Sequence, residues 1–251
     1  MTTTGARSVA LAGATGRMGA LITGLIDASD DFELVARLDS TTPLEAMAGA
    51  DLVIDVTVPA ASHKIVEFAL AQGQSVLVGT SGWSGQRIAA LQPLVDASPE
   101  AGVVIVPNFS IGSVLATSFA ATAARYFDSM EIVEAHHATK VDSPSGTAVR
   151  TAELMLASRG EQGPVAAPHV DQRARGQQVS SIPIHSLRMN GVVAKQDVIL
   201  GGTGELLTIS HETLSPESYA VGIMLALRAT PGVRGIVVGL DRLIDLAAAG
   251  E

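Results

Sequence analysis

The sequence predicts an α/β protein, with a doubly wound parallel sheet in its N-terminal part and a second α+β domain built on a mixed or antiparallel sheet. Short apolar runs alternate with helical periodicities as far as Val106. Apolar residues make up 47% of the chain and aromatics only 3%, so the core is made of Val, Ile, Leu and Ala, which fill parallel sheets covered by helices. After Pro107 and Asn108 the alternation gives way to β-rich runs with little helix between them. A length of 251 residues accommodates two modest domains.

Ser8 to Ala12 reads as a short buried strand, and Met18, Leu21, Ile22, Leu25 and Ile26 recur at helical spacing behind the turn Gly13-Ala-Thr-Gly-Arg-Met-Gly19. Phe32 to Leu38 gives a second strand, and Asp51 to Thr57 a third that stops at Pro59. Ser62 to Gln72 is helical in pattern, Ser75 to Val78 a strand, Gln86 to Asp96 a helix and Val103 to Val106 a strand. Such alternation implies right-handed crossovers and a parallel sheet. The spacing then predicts a helix from about Val114 to Tyr126, a strand from Met130 to Ala135 and a helix opening near Ser145. A loose segment, Gly160 to Gln178, precedes the β-rich runs Ile182 to Arg188, Val192 to Leu200 and Leu206 to His211. The tail holds a helix from about Pro216 to Leu227 and an apolar run, Gly235 to Gly239, of the parallel-strand type. The expected organisation is one domain over 1–108 completed by 216–251, and another over 109–215.

A formal net charge of −9 leaves no basic excess to neutralise phosphates, which argues against a general nucleic-acid binder and for a small ligand. The absence of cysteine excludes disulfide scaffolds, thiolate metal sites and thiol nucleophiles. Between Met1 and Ala12 the only apolar run, Val9 to Ala12, is too short for a secretory signal or a membrane span, so a cytoplasmic protein is expected.

Gly13, Gly16 and Gly19 lie between the first strand and its helix, where glycine permits a tight turn and lets backbone N–H groups approach a pyrophosphate at the positive helix end. The spacing is G-x-x-G-x-x-G, so the strand–turn–helix context carries the reading as much as the glycines do. Asp39, at the end of the second strand, stands where a carboxylate accepts hydrogen bonds from an adenosine ribose. Together these features predict a Rossmann-type dinucleotide-binding domain at the N-terminus.

The second constellation is Glu134-Ala-His-His-Ala-Thr-Lys-Val-Asp-Ser-Pro-Ser-Gly-Thr147, which leaves a strand and enters a helix. If the strand runs through His136 and His137, their side chains point to opposite faces and do different jobs. A lone histidine or lysine is usually solvated or structural. Two histidines, Lys140 and a Ser145-Gly146-Thr147 helix start within one short stretch suit a site for an anionic ligand.

These blocks, with Gly79-Thr80-Ser81, Pro107-Asn-Phe-Ser-Ile-Gly112 and the tail from Gly201 to His211, resemble the dihydrodipicolinate reductases over nearly the whole chain. The resemblance implies reduction of 4-hydroxy-tetrahydrodipicolinate with NADH or NADPH, with loss of water, on the way to diaminopimelate and lysine. It implies a homotetramer whose first domain binds cofactor and whose second binds the dicarboxylate substrate and assembles the tetramer. Carried over by residue, Gly13, Ala14, Thr15, Gly16, Arg17, Met18, Asp39, Gly79, Thr80, Ser81, Val106, Pro107, Asn108 and Phe109 contact the cofactor. His136 is the family's catalytic histidine and Lys140 a proton donor, while His137, Ser145, Gly146 and Thr147 hold the substrate. Some members place Arg directly after the ribose-binding acid. This chain has Ser40 there, which implies dual cofactor use with NADH at least as good as NADPH.

Three other readings meet specific objections. A semialdehyde dehydrogenase of similar build needs a cysteine nucleophile, and the chain has none. A nucleotide-sensing regulator has no need of the His-His-Lys block. A metal hydrolase on His136, His137 and Asp142 lacks helical His-x-x-x-His spacing, so no metal is expected.

Overall fold

The computed structural model describes residues 5–165 and 167–244. Met1 to Thr4 and the 245–251 tail, which the sequence reading assigns to the first domain, lie outside the described residues. In chain order the elements are β1 (Arg7–Ala12), α1 (Arg17–Asp27), β2 (Phe32–Leu38), β3 (Leu52–Asp55), α2 (Pro59–Ala71), β4 (Ser75–Val78), α3 (Gly85–Asp96), β5 (Gly102–Ile105), α4 (Ile111–Ala123), β6 (Ser129–His137), α5 (Gly146–Arg159), β7 (Gln177–Val179), β8 (Ile182–Met189), β9 (Ala194–Gly202), β10 (Glu205–Thr213), α6 (Ala220–Ala229) and β11 (Gly235–Val238). Two compact units form, one of residues through Phe109 together with those from Tyr219 onward, the other Ser110–Ser218.

The first unit carries a six-stranded sheet ordered β11-β5-β4-β3-β1-β2, every pairing parallel. All residues of β3, β4 and β5 are buried, as expected of strands covered on both faces. Val53, Val76, Val78, Val103 and Ile105 meet Val66, Leu70, Leu91 and Val95 of the helices in one core. The sheet is doubly wound, because the chain steps from β1 outward to β2 and then back across to β3 on the other side of β1. Ligands of such sheets bind outside the carboxyl ends of the strands at that switch. Phe109 belongs to this unit, its ring filling the space that a Cβ on Gly79 would enter at 2.7 Å from Cε2.

The second unit holds a five-stranded mixed sheet, β10-β9-β6-β8-β7, in which only the β6–β8 pair is parallel. Ala120 and Ala124 near the end of α4 and Ala148, Ala152 and Met155 of α5 pack on the face formed by Met130, Ile132, Ile184, Val198 and Leu200. The small alanines let both helices approach the sheet closely. Arg159 is buried and donates through Nη1 to Ala124 O and Phe127 O, both at 2.7 Å, so its guanidinium satisfies carbonyls where α4 ends.

Candidate active site

In the first unit the parallel pairing brings every strand's carboxyl end to one edge. The turn Gly13 to Met18 leaves β1 there, Asp39 leaves β2, Gly79 to Ser81 leave β4 and Val106 to Asn108 leave β5. Gly13 and Ala14 donate to Leu38 O at 2.9 and 3.2 Å, which ties the turn to the end of β2. Gly13 has φ +88°, and a Cβ there would sit 2.6 Å from Val56 O; one on Gly19 would sit 2.2 Å from Gly13 O. Both glycines are therefore demanded by the fold. Gly16 is different, because a Cβ there would meet only Gly13 O at 3.4 Å. It precedes α1 without a side-chain cap, and α1 has no acid in its first turn, so its N–H groups and helix dipole favour an anion.

Asp39 Oδ1 accepts from the hydroxyls of Thr41 (2.8 Å) and Thr42 (2.9 Å) and from their N–H groups at 2.9 and 3.1 Å. The Thr41 hydroxyl leads these bonds in holding the carboxyl down to about 2, so Asp39 is an anion at neutral pH. Among the described residues no bond runs to its Oδ2. Thr80, Val106 and Phe109 are buried. Residues and cradle fit a dinucleotide: a turn with no steric room for side chains at Gly13 and Gly19, an uncapped helix start and an ionised acid at the next strand end.

In the second unit β6 carries Glu134 and His136 on its helix-covered face and His137 on the other, because side chains alternate along a strand. This separation removes the pairing of His136 with His137 that a shared metal would need. Glu134 has no exposed side-chain surface, yet accepts from His136 Nδ1 at 2.6 Å, the Ser145 N–H at 3.2 Å, and Arg188 Nη1 and Nη2 at 2.9 Å each. Burial pushes the Glu134 carboxyl up, but the bonds from Arg188, Ser186 and His136 outweigh it and leave it below the usual carboxylate range. Burial pushes His136 down, and its bond to Glu134 recovers part of that.

Past the strand, the Lys140 N–H donates to His137 O at 3.0 Å, a turn that returns the chain toward α5, and His137 Nδ1 bonds Thr139 Oγ1 at 2.8 Å. Lys140 Nζ rests on Asp142 Oδ1 at 2.6 Å, and this bond is the main cause of Asp142 titrating below its usual value. Ser145 caps α5 by accepting the Ala148 N–H at 3.2 Å. Nothing would meet a Cβ on Gly146 within 4 Å, so the first turn of α5 opens onto free space at its positive end.

The structure thus brings His136, Ser145 and Gly146 together through Glu134, with Lys140 in the intervening turn and His137 across the strand. Two groups escape the sequence reading. Glu134 is visible there only as the first residue of a motif, and Arg188 only as the end of a strand. A signal for Arg188 exists: Ile182, Ile184, Ser186 and Arg188 share one phase of β8, which places a guanidinium on the buried face of an apolar strand.

The sequence matches two family descriptions, "Dihydrodipicolinate reductase, N-terminus" over residues 7–109 and "Dihydrodipicolinate reductase, C-terminus" over residues 112–244. It is 65% identical to 4-hydroxy-tetrahydrodipicolinate reductase of Clavibacter sepedonicus, over 100% of this chain and 89% of that protein. Its identity to the enzyme of the same name from Streptomyces griseus is 45%, over 95% of this chain and 98% of that one. The fold superposes on dipicolinate-bound dihydrodipicolinate reductase from Paenisporosarcina sp. TG-14 with a TM-score of 0.81 and 28% identity, covering 95% of this chain and all of that one.

Proposed function

The chain belongs to the dihydrodipicolinate reductase family, and we propose that its glycine turn and Asp39 hold the nicotinamide cofactor while residues 136–147 hold and protonate the substrate. The reaction is the reduction of 4-hydroxy-tetrahydrodipicolinate to tetrahydrodipicolinate with a reduced pyridine nucleotide and loss of water, in the diaminopimelate and lysine pathway. The observation that carries the site assignment is the buried Glu134 carboxylate, which joins the catalytic-histidine position to the start of α5. Cofactor, when bound, supplies the hydride.

The chain's own groups do the rest. The N–H donors of the first α5 turn and the Thr147 hydroxyl take a carboxylate of the substrate, and His137 and Ser145 complete its orientation. Loss of the 4-hydroxyl as water leaves a conjugated imine, and hydride arriving at its electrophilic carbon leaves an electron pair on the ring. The Lys140 ammonium stabilises that pair and gives it a proton, and His136 shares the acid role in its protonated form. Asp142 occupies Lys140 as a carboxylate partner that the substrate's own carboxylate replaces. Thr147→Val, which keeps shape and deletes the hydroxyl, is expected to raise substrate KM by about tenfold with kcat little changed, the loss of one hydrogen bond to a charged group. An unchanged KM removes Thr147 from the site.

The cofactor is expected to be NADH at least as readily as NADPH. Asp39 is held ionised by Thr41 and Thr42, so it accepts from a ribose 2′-hydroxyl and repels a 2′-phosphate. Ser40 follows where an arginine would offset that repulsion, and Arg17, exposed in the glycine turn, is equally placed for the pyrophosphate. A kcat/KM preference for NADPH above about tenfold, roughly 1.4 kcal/mol, contradicts this reading of Asp39. Ser40→Arg should move the ratio toward NADPH.

The homotetramer is proposed to form through the second sheet. Its face opposite α4 and α5 exposes Leu187 and Met189, by 42% and 49%, at one end of the sheet and Leu206, by 75%, at the other, apolar side chains of the kind that subunit contacts cover. Light scattering on the full chain reports the mass, and a monomer would overturn it. No helix among the described residues is long and apolar enough to cross a membrane. The cytoplasm, where reduced nicotinamide nucleotides are turned over, is the proposed compartment.

A further inference from the structure

We infer that Glu134, clamped by Arg188, is a positioning residue for the reduction: it fixes the His136 ring with Nδ1 turned inward and Nε2 left to face the substrate. The inference rests on the reading of His136 as catalytic and adds the two groups that no motif assigns.

Glu134 is an acceptor on both oxygens. Its partners on β8, Arg188 Nη1 and Nη2, form a two-pronged pair at 2.9 Å each, which fixes the carboxylate plane. Once ionised, that carboxylate only accepts, so the 2.6 Å contact requires His136 to carry hydrogen on Nδ1. The neutral ring then bears its lone pair on Nε2, and the protonated ring presents Nε2–H. Among the described residues no bond is made to Nε2. The same carboxylate holds the Ser145 N–H, and Arg188 Nη2 holds Asp142 O at 2.6 Å, so one ion pair pins both ends of the segment carrying Lys140.

Stability alone does not explain the pair. A buried ion pair is often matched or exceeded by apolar side chains of the same volume. Here the guanidinium also keeps a buried Nε without a hydrogen-bond partner, which adds to the cost of burying it. The charged groups around His136 are Glu134 on its own strand, Arg188 on β8 and Lys140 in the turn, with the Ser145 N–H at the α5 start. Only Glu134 among them favours the imidazolium.

Turnover that needs protonated His136 falls as pH rises through the histidine's pKa. Removing the Glu134 charge lowers that pKa, so the fall moves to lower pH. For the full chain with saturating NADH, Glu134→Gln is expected to cut kcat about a hundredfold, hold substrate KM within about threefold and shift the alkaline limb acidward. Glu134→Gln with Arg188→Met removes both charges and guards against loss of folding through an unpaired guanidinium. The double variant should keep a thermal midpoint near the parent's and stay slow. A folded double variant with kcat within about threefold of the parent overturns the inference. The unmodified protein gives a second decision, since its histidine ¹⁵N spectra, assigned with His136→Gln, must show the Nδ1–H form of neutral His136. An Nε2–H form overturns the inference whatever the variants do. His136→Gln with parental turnover overturns both this and the catalytic reading, whereas a slow His136→Gln beside an unimpaired Glu134→Gln overturns this one alone.

Discussion

Lys140→Ala is expected to lower kcat by about 10²–10⁴-fold while leaving NADH affinity within about twofold, the range that loss of a general acid spans. The separation follows from where the group sits. Lys140 belongs to the second unit, in the turn between β6 and α5, whereas the glycine turn and Asp39 belong to the first. Folding should hardly respond. The Lys140–Asp142 pair has side-chain exposures of 22% and 58%, and such pairs contribute about 0–1 kcal/mol, or roughly 2–4 °C at most in a domain of this size. The turn itself is made by the Lys140 N–H to His137 O and survives truncation. Asp142, released from the bond that holds its carboxyl down, should titrate at higher pH in the variant. Lys140→Arg separates charge from proton transfer: a guanidinium restores the cation but does not give up a proton near neutral pH. Recovery by Arg to within about tenfold of the parent would make Lys140 an electrostatic clamp and not a proton donor. Loss of NADH binding in Lys140→Ala would contradict its placement at the substrate.

The fold was legible wherever one signal dominated. β4 begins and ends where its apolar run does, because a buried parallel strand is little else than that run, and β2, at the sheet edge, keeps its bounds on the alternation of Phe32, Leu34, Ala36 and Leu38 with exposed side chains. Helix starts were harder to place. The helix read from Ser62 opens at Pro59, since proline is well suited to a first helical turn, and the one read from Val114 opens at Ile111 behind a Ser110 cap. β6 runs on through both histidines because pairing with β8 and β9 extends to that end, a tertiary effect that periodicity does not carry. Among its described residues the Gly160 to Gln178 stretch holds turns, with Gly160, Gly163 and Gly176 at positive φ, two single-turn 3-10 helices, Gly160–Gln162 and Arg173–Arg175, and the start of the short β7 against β8.

The candidate site was legible as residue types in one stretch of sequence, and less so as partnerships. His136, Lys140 and Ser145 stand close together in the chain, so a motif can hold them. Arg188 reaches Glu134 across 54 positions of sequence, and only the parallel β6–β8 register, which sets Arg188 beside His136, brings it there. Asp39 could be placed at a strand end from sequence, but its four hydrogen bonds from Thr41 and Thr42 could not. Those bonds fix the orientation of an exposed carboxylate and lower its titration from the ordinary value to about 2.

Gly16→Ala is expected to weaken NADH binding by about 10–100-fold with little change in thermal stability, and it tests the cofactor site without breaking the turn that forms it. The three glycines are not alike. Alanine at Gly19 would place Cβ 2.2 Å from Gly13 O and 2.7 Å from Ala14 Cα, a backbone collision that pushes the turn off α1. Gly13 adds a left-handed φ of +88° to its 2.6 Å approach to Val56 O. Either substitution would lower stability and binding together, which says nothing about where the ligand lies. Gly16 has φ −80° and ψ 169°, ordinary extended backbone, and room for a methyl at 3.4 Å. Its loss as an N-cap glycine costs about 0.5–1 kcal/mol of helix stability. What the methyl does obstruct is the approach of a pyrophosphate to the uncapped N–H groups of α1, where charge-assisted hydrogen bonds contribute about 1.5–3 kcal/mol each. Losing one of them corresponds to the stated range in Kd. Isothermal titration with NADH, beside a thermal melt of the free protein, reads both quantities. If Gly16→Ala binds NADH as tightly as the parent, the pyrophosphate does not lie on this turn, and the assignment of Gly13 to Met18 as cofactor contacts falls with it.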